Sequence, residues 1–175
     1  MRLADVPPAI LVEIPDGAAG TRATLKEMAR IVRAYRVNPQ ITAEAAHIAS
    51  LNMPGNYRGE IDALHAWVRD YIRYLQDPVD VQALRTPDVT LALNAGNCAQ
   101  KAILLATFLE SIGHKTRFVA VGYTGNPQEF EHVFAETKIG RDWLSLETTL
   151  HVPSGWAPMP PDIADAVTAY MLEYV

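Results

Sequence analysis

The sequence predicts an α+β domain in which a cysteine-led helix packs on a small antiparallel sheet. Three observations carry this prediction. Periodic helical segments fill the first half of the chain. An apolar helix opens directly at the only cysteine, Cys98. Short strand-like runs separated by turn residues follow it, so helices and strands are segregated along the chain.

The 175 residues fit one domain. With 49% apolar and 20% charged residues, the chain can bury a real core. The formal net charge is −5, with no basic stripe, which argues against nucleic-acid binding. A single cysteine excludes an internal disulfide framework and fits a reducing compartment. The first thirty or so residues lack the basic-then-apolar layout of a signal peptide. No apolar run approaches the roughly 18 residues that span a bilayer. The expectation is a soluble cytoplasmic protein.

Val6 to Ile14 is apolar, interrupted by Pro7-Pro8, and reads as an edge strand or extended arm. Thr24 can cap a helix whose Leu25, Met28, Ala29, Val32 and Tyr35 share one face. Asn38-Pro39 ends it. A short second helix is expected over Thr42 to Leu51. In the third, Ile61, Leu64, Val68, Tyr71, Ile72 and Leu75 form one apolar face, and Asp77-Pro78 stops it. Residues 79–97 show little period and read as a long loop of the kind that often carries function. The Cys98 helix is apolar on most sides, hence central, and closes at Gly113. Phe118 to Val121, Phe130 to Lys138 and Trp143 to Thr148 read as strands, the last two joined across Ile139-Gly140. Pro153 to Pro161 reads as extended. Ile163, Val167, Tyr170 and Tyr174 mark a final helix.

The chemistry centres on Cys98. A cysteine at a helix N-terminus faces unpaired backbone N–H groups and the positive end of the macrodipole, which favour thiolate. His132 and Glu147 follow on strands, so a Cys–His–carboxylate triad is expected. The thiolate would attack an acyl carbon, His132 would shuttle the proton, and Glu147 would orient the imidazole. With Ile139-Gly140 as a two-residue loop, His132 faces Glu147 directly. With Gly140-Arg141 as the loop, the two are diagonal neighbours on the same face. A three-residue loop puts Glu147 on the other face. The Cys98 backbone N–H could serve a developing oxyanion, with Asn94 as a second donor and Gln82 and Asn97 as alternatives. The bland readings are a small core cysteine, a structural histidine and a surface His–Glu pair. His47, His65, His114 and His151 lie singly, without metal-ligand spacing.

Gly96-Asn97-Cys98, the helix ending Ser111-Ile112-Gly113-His114, the strand Thr116 to Gly122, Glu131 to Glu136 and Trp143 to Thr149 together resemble the transglutaminase-like superfamily. Ile72 to Pro78, Thr86 to Leu91 and Gly155-Trp156-Ala157-Pro158 resemble its phage and prophage members. The resemblance is strongest over about residues 60–160. It implies a papain-like α+β fold, with nucleophile Cys98, base His132 and third member Glu147. It also implies thioester chemistry on a peptide or protein amide, without a cofactor, and a phage or host protein as partner. Here Glu147 stands where Asp is usual. Asn97 and Ala99-Gln100 stand where the phage subgroup tends to be acidic, which removes negative charge near the nucleophile. The expected organisation is one domain over 1–175. An arm and helical annex occupy 1–58, the catalytic core 59–160 and a C-terminal helix 161–175. The expected activity is that of an amide or peptide hydrolase, or a transglutaminase-like transferase. The alternative is a silent phage structural or assembly protein.

Overall fold

In the computed structural model the described residues are 17–76, 83–122, 130–157 and the strand 165–170. The expected arm over Val6 to Ile14 lies outside them. Helix α1 spans Gly17–Tyr35, and its apolar stripe is the expected one. Its start is not. The alanine-rich segment before Thr24 is already helical, and Thr24 is buried inside the helix rather than capping it. Helix α2 spans Pro39–Ala49, earlier than expected, because Asn38 accepts hydrogen bonds from the Gln40 and Ile41 N–H groups and Pro39 fits the first turn.

Helix α3 spans Tyr57–Tyr71 and stops short of Leu75. Ile72 turns extended, and strand β1, Arg73–Tyr74, follows at once. Leu75 matches the helical period yet is 49% exposed, so that match was fortuitous. The segment expected to be one long loop contains helix α4, Pro87–Leu93, and strand β2, Ala95–Gly96. Seven residues are too few to show a helical period, and Pro87 at the first turn was the local signal. Asn94 ends α4 in a left-handed conformation, φ 49°. Strands β1 and β2 pair in parallel. This two-rung ladder leads straight into helix α5, Cys98–Ser111.

Helix α5 is the centre of the molecule. One flank, through Ala99, Ala102, Ile103 and Ala106, packs on α1 and on Phe118, Ala120, Val133 and Ala135 of the sheet. The other flank, through Leu104, Leu105, Phe108 and Leu109, packs on α2 and α3. Its all-round apolar character therefore reflects burial on both sides. Gly113 closes it at φ 99°, where a side chain would be strained.

The sheet contains β3 (Thr116–Gly122), β4 (His132–Ile139), β5 (Asp142–Leu146) and β6 (Asp165–Tyr170), in the order β5-β4-β3-β6. All its neighbours are antiparallel. The expected C-terminal helix over 161–175 is corrected. Residues 165–170 form a strand that pairs with β3, and the rest of that segment is outside the described residues. The β-branched Val167 and Thr168 suit a strand, and the β6 ladder satisfies backbone groups that a β3 edge would leave open. The 153–161 segment is described to residue 157. It turns at Ser154-Gly155 instead of running extended, and the Gly155 N–H donates to the Ser145 carbonyl at 2.7 Å. Among the described residues no helix is long and apolar enough to cross a membrane.

Candidate active site

Cys98 is the first residue of α5 and is partly buried. The turn that presents it is held by a capping box. Asn97 Oδ1 accepts the Gln100 N–H at 2.9 Å, and Gln100 Oε1 accepts the Asn97 N–H at 3.1 Å. Gln100 is fully buried and reaches further. Its Nε2 donates to the Ala83 carbonyl at 2.8 Å, and its Oε1 also accepts from the Arg85 guanidinium at 2.9 Å. Gly96 is required here by close approach. A Cβ at that position would lie 2.9 Å from Gln100 Cβ and 3.3 Å from Thr90 Cγ2.

His132 is the first residue of β4. Its Nε2–H donates to Glu147 Oε2 at 2.5 Å, and its side chain is also hydrogen-bonded to Cys98. With Nε2 taken by the carboxylate, Nδ1 is left for the sulfur. The hairpin register is the diagonal one, not the directly facing one. Ile139 pairs with Asp142 and Ala135 with Leu146, so Gly140-Arg141 is the loop. Gly140 adopts φ 59°, a value that suits the first position of a tight hairpin turn. Glu147 lies one step past the end of β5 and reaches across to the ring.

Both oxygens of Glu147 are engaged. Oε1 accepts the Thr149 N–H at 2.5 Å and the Thr149 hydroxyl at 2.7 Å. The residue is fully buried. Burial alone would raise its pKa, but the His132 and Thr149 hydrogen bonds and the nearby imidazolium outweigh this and lower it to about 2. Burial likewise opposes charge on His132, yet Cys98 and Glu147 raise its pKa to about 9. The arrangement therefore favours an imidazolium beside the buried Glu147 carboxylate.

Three further residues bear on the site, and none was picked out from the sequence. Thr149 fixes the carboxylate; the Glu-x-Thr spacing was its only local trace. Lys101 lies one turn along α5 from Cys98, is 2% exposed, and donates to the Ile72 and Arg69 carbonyls at 2.6 and 3.1 Å. Burial lowers its pKa to about 8, against the opposing pull of Glu147 and Asp70. A lone lysine in a mostly apolar helix was its signal. His65 reaches the Glu147 main chain from α3.

The oxyanion candidates fall differently. The Cys98 N–H sits at the helix start, where no intrahelical acceptor exists. Asn94 is exposed, and its carbonyl accepts the Arg73 N–H at 3.1 Å. Asn97 uses its side-chain oxygen as the cap. Gln82 lies outside the described residues. Among the described residues no group of three or more His, Cys, Asp or Glu side chains converges as a metal site.

A family model described as the transglutaminase-like superfamily (transglutaminase core) matches residues 43–148, more than half of the chain. No curated protein matches. Two solved structures share the fold. A protease candidate from Parabacteroides distasonis has a TM-score of 0.59 at 14% identity, covering 75% of this chain and 26% of its own. A cysteine protease candidate from Cytophaga hutchinsonii has a TM-score of 0.52 at 18% identity, covering 75% of this chain and 46% of its own. The present chain thus spans under half the length of either.

Proposed function

The chain belongs to the transglutaminase-like superfamily, and from that premise we propose that it is a cysteine-dependent acyl-transfer enzyme acting on peptide or protein amides. The observation that carries this reading is the His132 ring, bonded on one side to Glu147 and on the other to Cys98. A structural histidine needs neither a buried carboxylate nor a helix-terminal thiol.

The steps follow from these groups. The Cys98 thiolate attacks the amide carbon, and the Cys98 N–H donates to the developing oxyanion. Asn94 is the proposed second donor. Imidazolium His132 gives its proton to the departing amine, which leaves as the C–N bond breaks and a thioester forms. Water then attacks the thioester while His132 takes its proton. The acid is released, and the cysteine leaves as thiolate. Glu147 keeps the ring oriented and favours its charged form throughout. Hydrolysis is preferred to cross-linking because no acceptor-amine site stands out in the sequence. The sequence resemblance to phage-type members makes a phage or host protein the proposed partner, met in the cytoplasm. Residues 59–160 are the proposed catalytic core of a single domain.

The test is covalent labelling by a peptidyl acyloxymethyl ketone, with mass spectrometry of the modified peptide, alongside amide turnover. Labelling is expected at Cys98 and should be strongly slowed in His132→Ala. Cys98→Ala should keep the near-UV circular dichroism of the parent and lose all turnover. Labelling no faster than that of the unfolded chain, and unchanged in His132→Ala, would identify a silent scaffold instead.

A further inference from the structure

Helix α3 packs its apolar residues Ile61, Leu64 and Val68 into the core. Its polar residues Arg58, Asp62, His65 and Arg69 recur at helical spacing and form a second stripe. All four hold the chain that follows β5. The Arg58 guanidinium donates to Ser154 Oγ at 2.7 Å, and that hydroxyl donates to Asp62 at 2.5 Å. Arg69 donates to the Val152 carbonyl at 2.8 Å. His65, the innermost, is 1% exposed and bonds the Glu147 carbonyl at 2.5 Å. A carbonyl only accepts, so the His65 proton sits on Nε2.

We propose that His65 is a positioning residue for Glu147, holding the main chain of that residue so that its carboxylate meets the His132 ring. The inference rests on the reading of Cys98, His132 and Glu147 as the catalytic triad. Glu147 lies beyond the last rung of the β4–β5 ladder, so strand pairing does not fix its backbone. The His65 ring supplies the missing partner from another element, across 82 positions of sequence. Side-chain hydrogen bonds then aim a carboxylate whose main chain is already held. Because burial opposes charge on His65, the ring stays a neutral donor while Arg69, Asp62 and Glu147 surround it.

The experiment is the titration of the His132 ring by NMR in the full chain, with folding checked by near-UV circular dichroism. The groups facing that ring are Cys98 and Glu147, and both are left intact. His65→Met removes the donor. His65→Gln keeps an amide N–H near the Nε2 position, and His65→Asn places one only as far as Nδ1. The His132 midpoint, expected near 9 in the parent, should fall toward the ordinary 6.5 or so in the Met and Asn variants and stay near the parent value in Gln. A folded Met variant with an unmoved midpoint overturns the proposal. If the Met variant does not fold, Gln against Asn decides, and equal midpoints in those two overturn it. A purely structural histidine would lower thermal stability without moving the ring titration. Turnover is not needed for this readout. An inactive parent would refute the enzyme reading, and the ring titration would still test how Glu147 is held.

Discussion

Replacing Glu147 by Gln deletes the charge of the fully buried member of the His132–Glu147 pair and keeps the side-chain shape. The His132 pKa moves from 6.5 to about 9, which corresponds to about 3 kcal/mol of preference for imidazolium. The fall of Glu147 from 4.5 to about 2 is largely the same interaction seen from its other end, so it is counted once. Burial opposes the histidine shift and Cys98 shares in raising it, so the carboxylate's effect is of the same order, roughly 2–3 kcal/mol. The pH windows follow from the directions. The raised His132 contributes fully below 6.5 and loses its contribution as pH rises through about 9. The lowered Glu147 contributes fully above 4.5 and loses its contribution as pH falls through about 2. Both contributions are complete between 4.5 and 6.5. Deleting the charge also removes its desolvation penalty, so the absolute difference between proteins is not diagnostic. The shape of the curve is. Urea denaturation across pH should show the parent losing roughly 2–3 kcal/mol relative to Glu147→Gln on leaving that window at either side. The His132 ring should titrate lower in the variant. Parallel stability curves for the two proteins, with an unmoved ring, would refute the reasoning.

Thr149→Val removes the hydroxyl bond to Glu147 and keeps the backbone one. It should cost about 1 kcal/mol in urea denaturation, and it should slow Cys98 alkylation at neutral pH less than Glu147→Gln does. A larger kinetic loss than Glu147→Gln would contradict the assigned order of importance. In Lys101→Met the Ile72 and Arg69 carbonyls lose their ammonium partner. The parent Lys101 has a lowered pKa, so between about 8 and 10.5 the unfolded chain binds a proton that the folded chain has released. Its contribution to stability therefore rises with pH across that range. Above about 9, where His132 no longer contributes a loss, the variant should lack this rise. Equal slopes in denaturation against pH would remove Lys101 from the account.

Much of this architecture was legible because its cause is local. The apolar face of α3, the all-round apolar α5 and the glycine after it each reflect a pattern within one element. The residues of the proposed triad could be singled out for a similar reason: Cys98 stands at a helix start, and His132 and Glu147 flank one hairpin. The sequence left the choice between facing and diagonal registers to turn geometry, and Gly140 decided it. What stayed hidden depends on distant partners. Residues 165–170 carry apolar spacing compatible with a helix, and only the open side of β3 makes them a strand. Leu75 fits the α3 period, but β1 pairing and the Lys101 ammonium end the helix before it. His65 looked like a solitary histidine because its partner is 82 residues away.

The strand order β5-β4-β3-β6 also bears on when the cysteine becomes armed. On the ribosome, Cys98 and its helix emerge before His132, and Glu147 and Thr149 emerge later still. The α3 side of the site is waiting by then, but the imidazole and its carboxylate arrive only with the hairpin, and the final strand closes the sheet after that. An incomplete chain therefore carries a thiol without the histidine proposed as its base. The proposed chemistry then waits until the chain has largely folded around its nucleophile.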